Sequence, residues 1–367
     1  MKFTCNRDNL IEGIGIVQKA IPSKSNTPVL EGILIEVSED LILTGSDSEI
    51  SITYQVPAII EEIGGVVVQA RTFCDIIRKL PDIYVTIETS SDGNELIINS
   101  GNAHFEINTM NRAAYPKINF IESEDVISIE KNNLRALIKQ TAFAASQENS
   151  RPILKGVLME NKEGILRFVA IDGFRLALKY IENSYEKDFS IVVPARVLNE
   201  MSKIIDKGDE LINICFSDNQ IMFFTDTFKM ISSLLKGEFY DYSKMIPKDF
   251  TVVMNVNTKD ILSSIERVAL VLDDDRKWPI VLKTYTDEAV INVAGERGVS
   301  REVINAEISG QEIEIYYNSR NIIECLRAVE NERISVKFTS AKGPSIIMSE
   351  DDGSFLFLVM PVKPKIR

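Results

Sequence analysis

The side chains that most often carry out catalysis are scarce in this chain of 367 residues. It has a single histidine, His104, and four cysteines that lie far apart and form no CxxC pair, at positions 5, 74, 215 and 325. A zinc site or a Ser–His–Asp triad is therefore not expected, because each needs such residues grouped together. The glycine patterns GxxxxGK[ST] and GxGxxG, which hold phosphates, are also missing from the sequence.

One acidic run, DDD at 273–275, could hold a metal ion, but its surroundings, DDDRKW, are more typical of a solvated loop. We therefore expect neither catalysis nor a cofactor. The sequence therefore favours a binding protein.

Three arginines stand at equivalent points of a repeated pattern. Arg71, Arg196 and Arg320 are spaced by about 125 residues, and each follows a run of apolar, β-branched residues and precedes an apolar helical pattern. A second predicted strand follows each helix, at 84–88, 212–216 and 334–338.

The rest of the chain follows the same period. TPVLEGILIE at 27–36 aligns without a gap with RPILKGVLME at 151–160, and Pro28 and Pro152 recur as Pro279. Each repeat reads as helix, strands, helix and more strands, which predicts an α+β fold. A period of about a third of the chain is right for a small domain. We place three domains at 1–122, 123–248 and 249–367.

Composition predicts a cytoplasmic protein. Hydrophobic residues make up 45% and charged residues 26% of the chain, as in ordinary globular proteins. No apolar run approaches the ~20 residues of a membrane span, and the opening MKFTCNRDNL lacks a signal-peptide core. The cysteines are then expected to be reduced and mostly buried.

The net charge of −13 argues against a simple nucleic-acid-binding protein, but the charge is unevenly distributed. The predicted helices are 7–19, 71–79, 131–145, 196–207, 259–270 and 320–330. Together they hold 15 Lys and Arg against nine Asp and Glu, a net +6, which leaves −19 for the rest. Helices of this kind could face phosphate within an acidic body. The alternative is that basic residues are simply common on helix faces.

Several motifs, in order along all three repeats, carry a family resemblance. They are MKFT at the start, ARTFCDIIRKLP at 70–81, AIDGFRLA at 170–177, GEFYDYSKMIPK at 237–248 and LVMPVK at 358–363. The whole chain resembles the bacterial sliding clamp, the β subunit of DNA polymerase III. The resemblance implies three clamp domains, each with two helices packed on antiparallel sheets, and a homodimer that closes as a six-domain ring around duplex DNA.

The resemblance also implies a set of DNA contacts. A sliding protein needs phosphate contacts without base readout. The basic candidates are Lys24, Arg71, Arg78, Lys79, Arg135, Lys139, Arg196 and Lys203. A second contact loop of the family aligns with 147–152, where this chain carries Glu148.

A pocket for short apolar peptides of partner proteins is implied between the second and third repeats. Its matching positions are Arg151, Leu154, Ile171, Gly173, Phe174, Arg175, Leu176, Tyr240, Lys244, Met245, Leu358, Met360, Pro361 and Val362. The aliphatic residues and Met would form the groove, and Arg175 could fork onto a carboxylate or carbonyl. The alternative is that AIDGFRLA has only a structural role, as a hairpin with an Asp-Gly turn. Phe174, Tyr240 and Lys244 depart from the usual residue types, and the tail 364–367 runs past the usual end.

The implied ring interface joins the first domain of one chain to the third domain of another. Phe105 and Ile107 match one side and Leu270 and Val271 the other, although core packing is the alternative for these residues. The flanking ion pairs of the family are not reproduced, since Asn102 and His104 stand where basic residues are expected.

The predicted function is therefore a non-catalytic DNA sliding clamp, a processivity factor of DNA replication. Its implied partners are double-stranded DNA, the replicative DNA polymerase, a clamp loader, repair and translesion proteins with short peptide motifs, and a second copy of the chain. Two alternatives stay open: an acidic scaffold that binds proteins and not DNA, and a monomeric relative that forms no ring.

Overall fold

The computed structural model describes residues 1–272, 278–295, 297–350 and 353–363. The acidic run 273–275 and the tail 364–367 lie outside the described residues. The chain forms two compact units, one of residues 1–131 with 203–234, and one of residues 132–202 with the described residues from 235 onward. No helix among the described residues is both long and apolar enough to cross a membrane.

The first unit is built on one antiparallel sheet of 13 strands. These are β1 (Lys2–Asn6), β2 (Gly32–Val37), β3 (Leu41–Ser46), β4 (Ile50–Val56), β5 (Ala58–Glu62), β6 (Gly64–Gln69), β7 (Tyr84–Thr89), β8 (Glu95–Ser100), β9 (Ala103–Met110), β10 (Ile127–Glu130), β15 (Leu211–Phe216), β16 (Gln220–Phe224) and β17 (Phe228–Ser233). Their order across the sheet is β10-β15-β16-β17-β4-β3-β2-β6-β9-β8-β7-β1-β5.

The second unit holds a nine-stranded and a four-stranded sheet, ordered β14-β11-β12-β13-β26-β25-β24-β18-β22 and β21-β20-β19-β23. Their strands are β11 (Gly156–Lys162), β12 (Ile165–Ile171), β13 (Arg175–Glu182), β14 (Phe189–Pro194), β18 (Val252–Asn257), β19 (Ile280–Thr284), β20 (Glu288–Gly295), β21 (Gly298–Asn305), β22 (Glu307–Gly310), β23 (Glu314–Tyr317), β24 (Arg333–Phe338), β25 (Ser345–Ser349) and β26 (Phe355–Val359).

Two helices fall in each repeat, as predicted. The helices of the described chain are α1 (Arg7–Val17), α2 (Ala70–Lys79), α3 (Lys131–Lys139), α4 (Ala195–Ile204), α5 (Thr258–Val268) and α6 (Ser319–Ala328). Asparagines at positions 6, 257 and 318 cap α1, α5 and α6 by accepting backbone N–H bonds. Although all of them except α2 are shorter than predicted, their 13 Lys and Arg against seven Asp and Glu still give a net +6.

The helix predicted over 131–145 was too long. α3 ends at Lys139, and residues 142–144 form a separate 3₁₀ turn. The Thr141 hydroxyl donates to the Leu137 carbonyl at 2.6 Å, a local bond that competes with continued helix.

Successive repeats are joined by the same strand pairing. β4 pairs antiparallel with β17, and β13 pairs antiparallel with β26. The hairpin turn before each strand is also the same, because Asp47 Oδ1 accepts from the Ile50 N–H and Asp172 Oδ1 from the Arg175 N–H. The shared turn makes Ile50 and Arg175 equivalent positions. Ile50 lies opposite Ser232 and Arg175 lies opposite Val359, so the two junctions pair their strands in the same register.

The four cysteines are free and buried, as predicted. Burial raises the pKa of the Cys5 and Cys325 thiols to about 12, so both stay protonated and unreactive at neutral pH.

Candidate functional site

The aliphatic residues predicted for the peptide pocket form one buried cluster in the second unit. Leu154, Ile171, Leu176 and Leu358 are at most 5% exposed. They pack with further aliphatic residues at positions 158, 169, 192 and 346. Leu176 and Leu358 lie directly opposite each other across the β13–β26 junction. The cluster therefore forms a buried floor beneath the surface of the β13–β26 junction, and its members are not themselves a contact surface.

Large exposed side chains border this floor. Phe174 is 59% exposed and Met360 is 37% exposed. The Met360 N–H donates to the Phe174 carbonyl at 2.8 Å, so the two residues are fixed side by side. Gly173 has a φ of +93°, which suits glycine and lets the turn place Phe174 at the surface.

Not every predicted pocket residue joins the cluster. Tyr240 and Met245 are exposed and are not among its buried members. Lys244 is 82% exposed and pairs with Asp241 at 2.8 Å, and Arg151 is exposed at the start of a 3₁₀ turn. These four residues border the region without contributing to its floor.

Sequence reasoning missed residues that do pack on the cluster. Tyr242, two positions from the predicted Tyr240, lies against it, as do Leu178, Leu356 and Met348. The Tyr242 hydroxyl donates to the Glu160 carboxylate. Burial, together with that carboxylate, raises the pKa of the Tyr242 phenol well above its usual value. The strand period of two could have identified Leu178 and Leu356, which stand two residues from Leu176 and Leu358.

Arg175 does fork, but onto groups of its own chain. Its side chain is only 6% exposed, with Nε 3.0 Å from Asp172 Oδ2 and Nη1 2.6 Å from Glu324 Oε2. Nη2 donates to the Phe143 carbonyl at 2.9 Å, and the guanidinium lies over the Phe143 ring. Nε and Nη2 thus donate within the chain and Nη1 is held in an ion pair, so the guanidinium is engaged by groups of its own chain.

Glu324 is held ionised by this network. Burial alone would raise the pKa of the Glu324 carboxyl, but hydrogen bonds from Arg320 and Arg175 lower it overall. Arg175 on β13 and Glu324 on α6 belong to the second and third repeats. The ion pair therefore braces the junction that carries the groove.

A more polar groove of about 760 Å³ adjoins the apolar region. Phe174 and Val362 line it, together with Glu148, Arg320 and Arg327. The Val362 N–H donates to the Tyr316 carbonyl at 2.8 Å, which fixes the segment that follows β26. Pro361 is half-buried in the same segment.

The basic candidates of the first unit are exposed. Lys24 lies on the loop between two 3₁₀ turns, and Arg71, Arg78 and Lys79 lie on α2. Arg78 Nη2 donates to Gln18 Oε1 at 3.3 Å, which links α2 to the end of α1. Lys203, near the end of α4, is also exposed.

Two basic candidates of the second unit have structural partners. Arg135 is half-buried, and its Nη1 donates to the Ser202 carbonyl at 3.2 Å. Lys139 is half-exposed and pairs with Glu330 at 2.8 Å. Arg196 is exposed at the start of α4. These contacts make Arg135 the least available of the eight candidates for phosphate.

Of the two segments predicted for the ring interface, Phe105 and Ile107 lie on β9, and Leu270 and Val271 lie in the 3₁₀ turn after α5, which packs against β21. β9 pairs with β8 along its length and with β6 only at Thr109 and Met110. β21 is the terminal strand of the four-stranded sheet. Phe105 is 38% and Leu270 76% exposed, so core packing does not account for them. Ile107 and Val271 are half-buried beside them.

No group of His, Cys, Asp and Glu in the described part of the chain could hold a metal ion. The candidate aspartates at 273–275 are outside that part.

Comparison with known proteins assigns the family. Profiles of the DNA polymerase III beta subunit match in order: the N-terminal domain over residues 1–119, the central domain over 128–241 and the C-terminal domain over 243–363. The beta sliding clamps of Bacillus subtilis and Halalkalibacterium halodurans are 35% and 34% identical, each over 99% of this chain and all of the relative.

Solved structures agree with the profiles. The DNA polymerase sliding clamp of Bacillus subtilis superposes with a TM-score of 0.95 at 34% identity and full coverage of both chains. The putative DNA polymerase III beta subunit of Eubacterium rectale gives a TM-score of 0.94 at 31% identity over 99% of this chain and all of that one. The chain belongs to the DNA polymerase III beta subunit family, the bacterial sliding clamps.

Proposed function

We propose that this clamp closes around duplex DNA as a homodimeric ring of six domains. Each chain supplies three of them, at residues 1–122, 123–248 and 249–367. As a non-catalytic processivity factor in the cytoplasm, it would tether the replicative polymerase without reading sequence. Tethering acts through effective concentration, since a polymerase held at the template rebinds before it diffuses away. The observation that carries the ring is the repeated strand junction, of which the chain completes two copies and leaves the halves of a third open.

The open halves are β21 and β9. β21 follows the hairpin of the third repeat, as β4 and β13 do in the first and second repeats. β9 ends the first repeat, as β17 and β26 end the others. If β21 of one copy paired with β9 of another in the register of the two internal junctions, Ser300 would lie opposite Phe105. This pairing would continue both sheets and remove two exposed edges.

The apolar packing of the junction can be transferred in the same way. In the second unit, Phe143 in the 3₁₀ turn after α3 packs edge-on against Phe357 of β26, with ring centroids 5.4 Å apart. Leu270 holds the equivalent place after α5, and Phe105 is equivalent to Phe357. Leu270 of one copy would then contact Phe105 of the other, which gives both exposed side chains a partner.

The surface over the β13–β26 junction would bind short apolar segments of partner proteins. The aliphatic floor, exposed Phe174 and adaptable Met360 suit aliphatic and aromatic anchors. Each fully buried Leu or Phe anchor contributes about 1.5–3 kcal/mol. Two or three anchors thus contribute about 3–9 kcal/mol, against ~8 kcal/mol for micromolar binding, before the cost of ordering the peptide is subtracted. Such modest affinity suits partners that exchange: the replicative polymerase, the clamp loader, and repair and translesion proteins.

DNA would be held through phosphates alone. The net +6 of the helices, set against −19 for the rest, favours phosphate at the helices and disfavours it elsewhere. The exposed candidates are Lys24, Arg71, Arg78, Lys79, Arg196 and Lys203, with Lys139 available if its pair with Glu330 opens. Contacts of this type are weak and independent of sequence, which allows movement along the duplex.

The solution mass tests ring closure. Two chains of 41.3 kDa give about 83 kDa. Light scattering across a dilution series should report this mass down to nanomolar concentration. A 41.3 kDa species at micromolar concentration would contradict the ring and leave an acidic, protein-binding scaffold as the better account.

A further inference from the structure

The outer faces of the two open strands carry complementary charge. On β9, His104 and Glu106 point to the face opposite Phe105, because side chains alternate along a strand. On β21, the corresponding face presents Val299, which is 77% exposed, and the exposed Arg301. Neither face is covered by another element in the described part of its unit.

Glu106 is positioned by its neighbours. The His104 ring lies between two acceptors, with Nδ1 2.7 Å from Asn99 Oδ1 and Nε2 3.2 Å from Glu106 Oε1. The Glu106 side chain nevertheless stays 52% exposed, so its second oxygen can accept another donor. Arg301 pairs with Asn292 through the β20–β21 ladder, and its exposed side chain has no hydrogen bond or ion pair with another described residue of its own chain.

The register of the internal junctions says where these groups would meet. Ile50 lies opposite Ser232 and Ser51 opposite Ile231. When β21 and β9 pair in this same register, Val299 lies opposite Glu106 and Arg301 lies opposite His104. Diagonal neighbours across a pair of strands lie ~7–8 Å apart at their Cα atoms, within reach of a long side chain. An arginine at position 301 can therefore reach the carboxylate of Glu106 on the partner.

We propose that an intermolecular Glu106–Arg301 ion pair, formed once at each of the two junctions, selects a second copy of this chain as the ring partner. This proposal rests on the proposed dimer. It adds the register in which the two strands pair and the charged residues that face each other across them. Phe105 and Leu270 supply apolar contact that would accept many surfaces, whereas the charge pair distinguishes correct from incorrect partners. The His104 ring, with Nε2 3.2 Å from Glu106 Oε1, helps to hold the carboxylate in place.

The pair also limits mismatched pairing. A slip of one residue would turn Glu106 and Arg301 to opposite faces, and it would expose Phe105 on the outer face. A slip of two residues would set Glu106 directly opposite Arg301 but would separate Phe105 from Leu270. The apolar contact and the charge pair are satisfied together in one register only.

Charge reversal tests the proposal. E106R and R301E should each weaken the dimer on the order of tenfold or more, since a like-charged pair then stands at both junctions of the ring. The double variant E106R/R301E should recover most of the wild-type dimer affinity. Two differently tagged chains, one wild type and one double variant, should then assemble with themselves and not with each other, because every mixed junction carries like charges.

The controls keep the outcomes distinct. E39R and K342E reverse exposed charges away from both strands and should leave the dimer unchanged, and circular dichroism confirms that each variant is folded. Raising the salt concentration should shrink the differences between variants. A wild-type chain that is monomeric would contradict the ring itself. A dimeric wild type whose single variants dimerise normally, or whose double variant is not restored, would overturn the Glu106–Arg301 pair alone.

Discussion

Replacing Arg175 by methionine should destabilise the second unit by about 2–4 kcal/mol. Removing one partner of a buried ion pair costs about 3–5 kcal/mol because the remaining charge stays buried and unpaired. The cost here is reduced, since Glu324 keeps its hydrogen bond from Arg320 at 2.9 Å and Asp172 keeps two backbone donors. Methionine fills much of the space of the arginine stem, so a cavity adds little.

Urea unfolding followed by far-ultraviolet circular dichroism gives the measurement. The matched control is Lys244→Met, which removes an exposed pair with Asp241 and should cost less than about 0.5 kcal/mol. Adding Glu324→Gln to the Arg175→Met chain should recover part of the loss, because the uncompensated charge is then gone. An Arg175→Met chain within about 0.5 kcal/mol of wild type would refute the bracing role of this residue.

The same network should make the stability of the folded chain depend on pH in the acid range. The pKa of Glu324 is lower in the folded chain than its usual value of 4.5, because its hydrogen bonds outweigh burial. Its stabilising contribution is therefore complete above that usual value and is lost as the pH falls through the lower, folded one. The urea midpoint of wild type should fall below pH 4.5 more steeply than that of Glu324→Gln. Parallel midpoints in the two chains would contradict the shift.

Three further predictions concern the proposed binding surfaces. Leu270→Asp should convert the dimer to monomer in light scattering without changing the circular dichroism spectrum, since this side chain is 76% exposed. Phe174→Ala with Met360→Ala should weaken binding of a fluorescent partner peptide about tenfold or more in anisotropy while leaving unfolding within about 0.5 kcal/mol of wild type. Arg71→Gln with Lys79→Gln should lower the slope of log affinity for DNA against log salt by about 2, whereas unchanged slopes would remove both residues from the DNA contacts.

The sequence predicted the repeated architecture because its signals are local. Alternating apolar residues mark strands such as β4, and Asn6 stands just before the first helical pattern and caps it. Helix ends were harder to predict, because the bond from the Thr141 hydroxyl to the Leu137 carbonyl at the end of α3 leaves no signal in the sequence pattern. A propensity pattern cannot show which of two competing hydrogen bonds forms.

The site was predictable only in part, for a different reason. Leu154, Ile171 and Leu176 follow from the strand pattern and the family motif, and they cluster as expected. The role of Arg175 depends on Glu324, which lies about 150 residues away, and sequence spacing gives no measure of that distance. The family motif contains both Tyr240 and Tyr242, and only packing shows that the partly buried Tyr242 lies against the cluster.

Release from DNA by cutting tests the central claim most directly. The clamp, loaded by a bacterial clamp loader onto a nicked circular plasmid, is washed in high salt, and the plasmid is then cut once with a restriction enzyme. A ring around DNA should stay on the circle through the wash, because its hold is topological, and should leave once the plasmid is linear. Loss in the high-salt wash, or equal retention on circular and cut plasmid, would contradict encirclement.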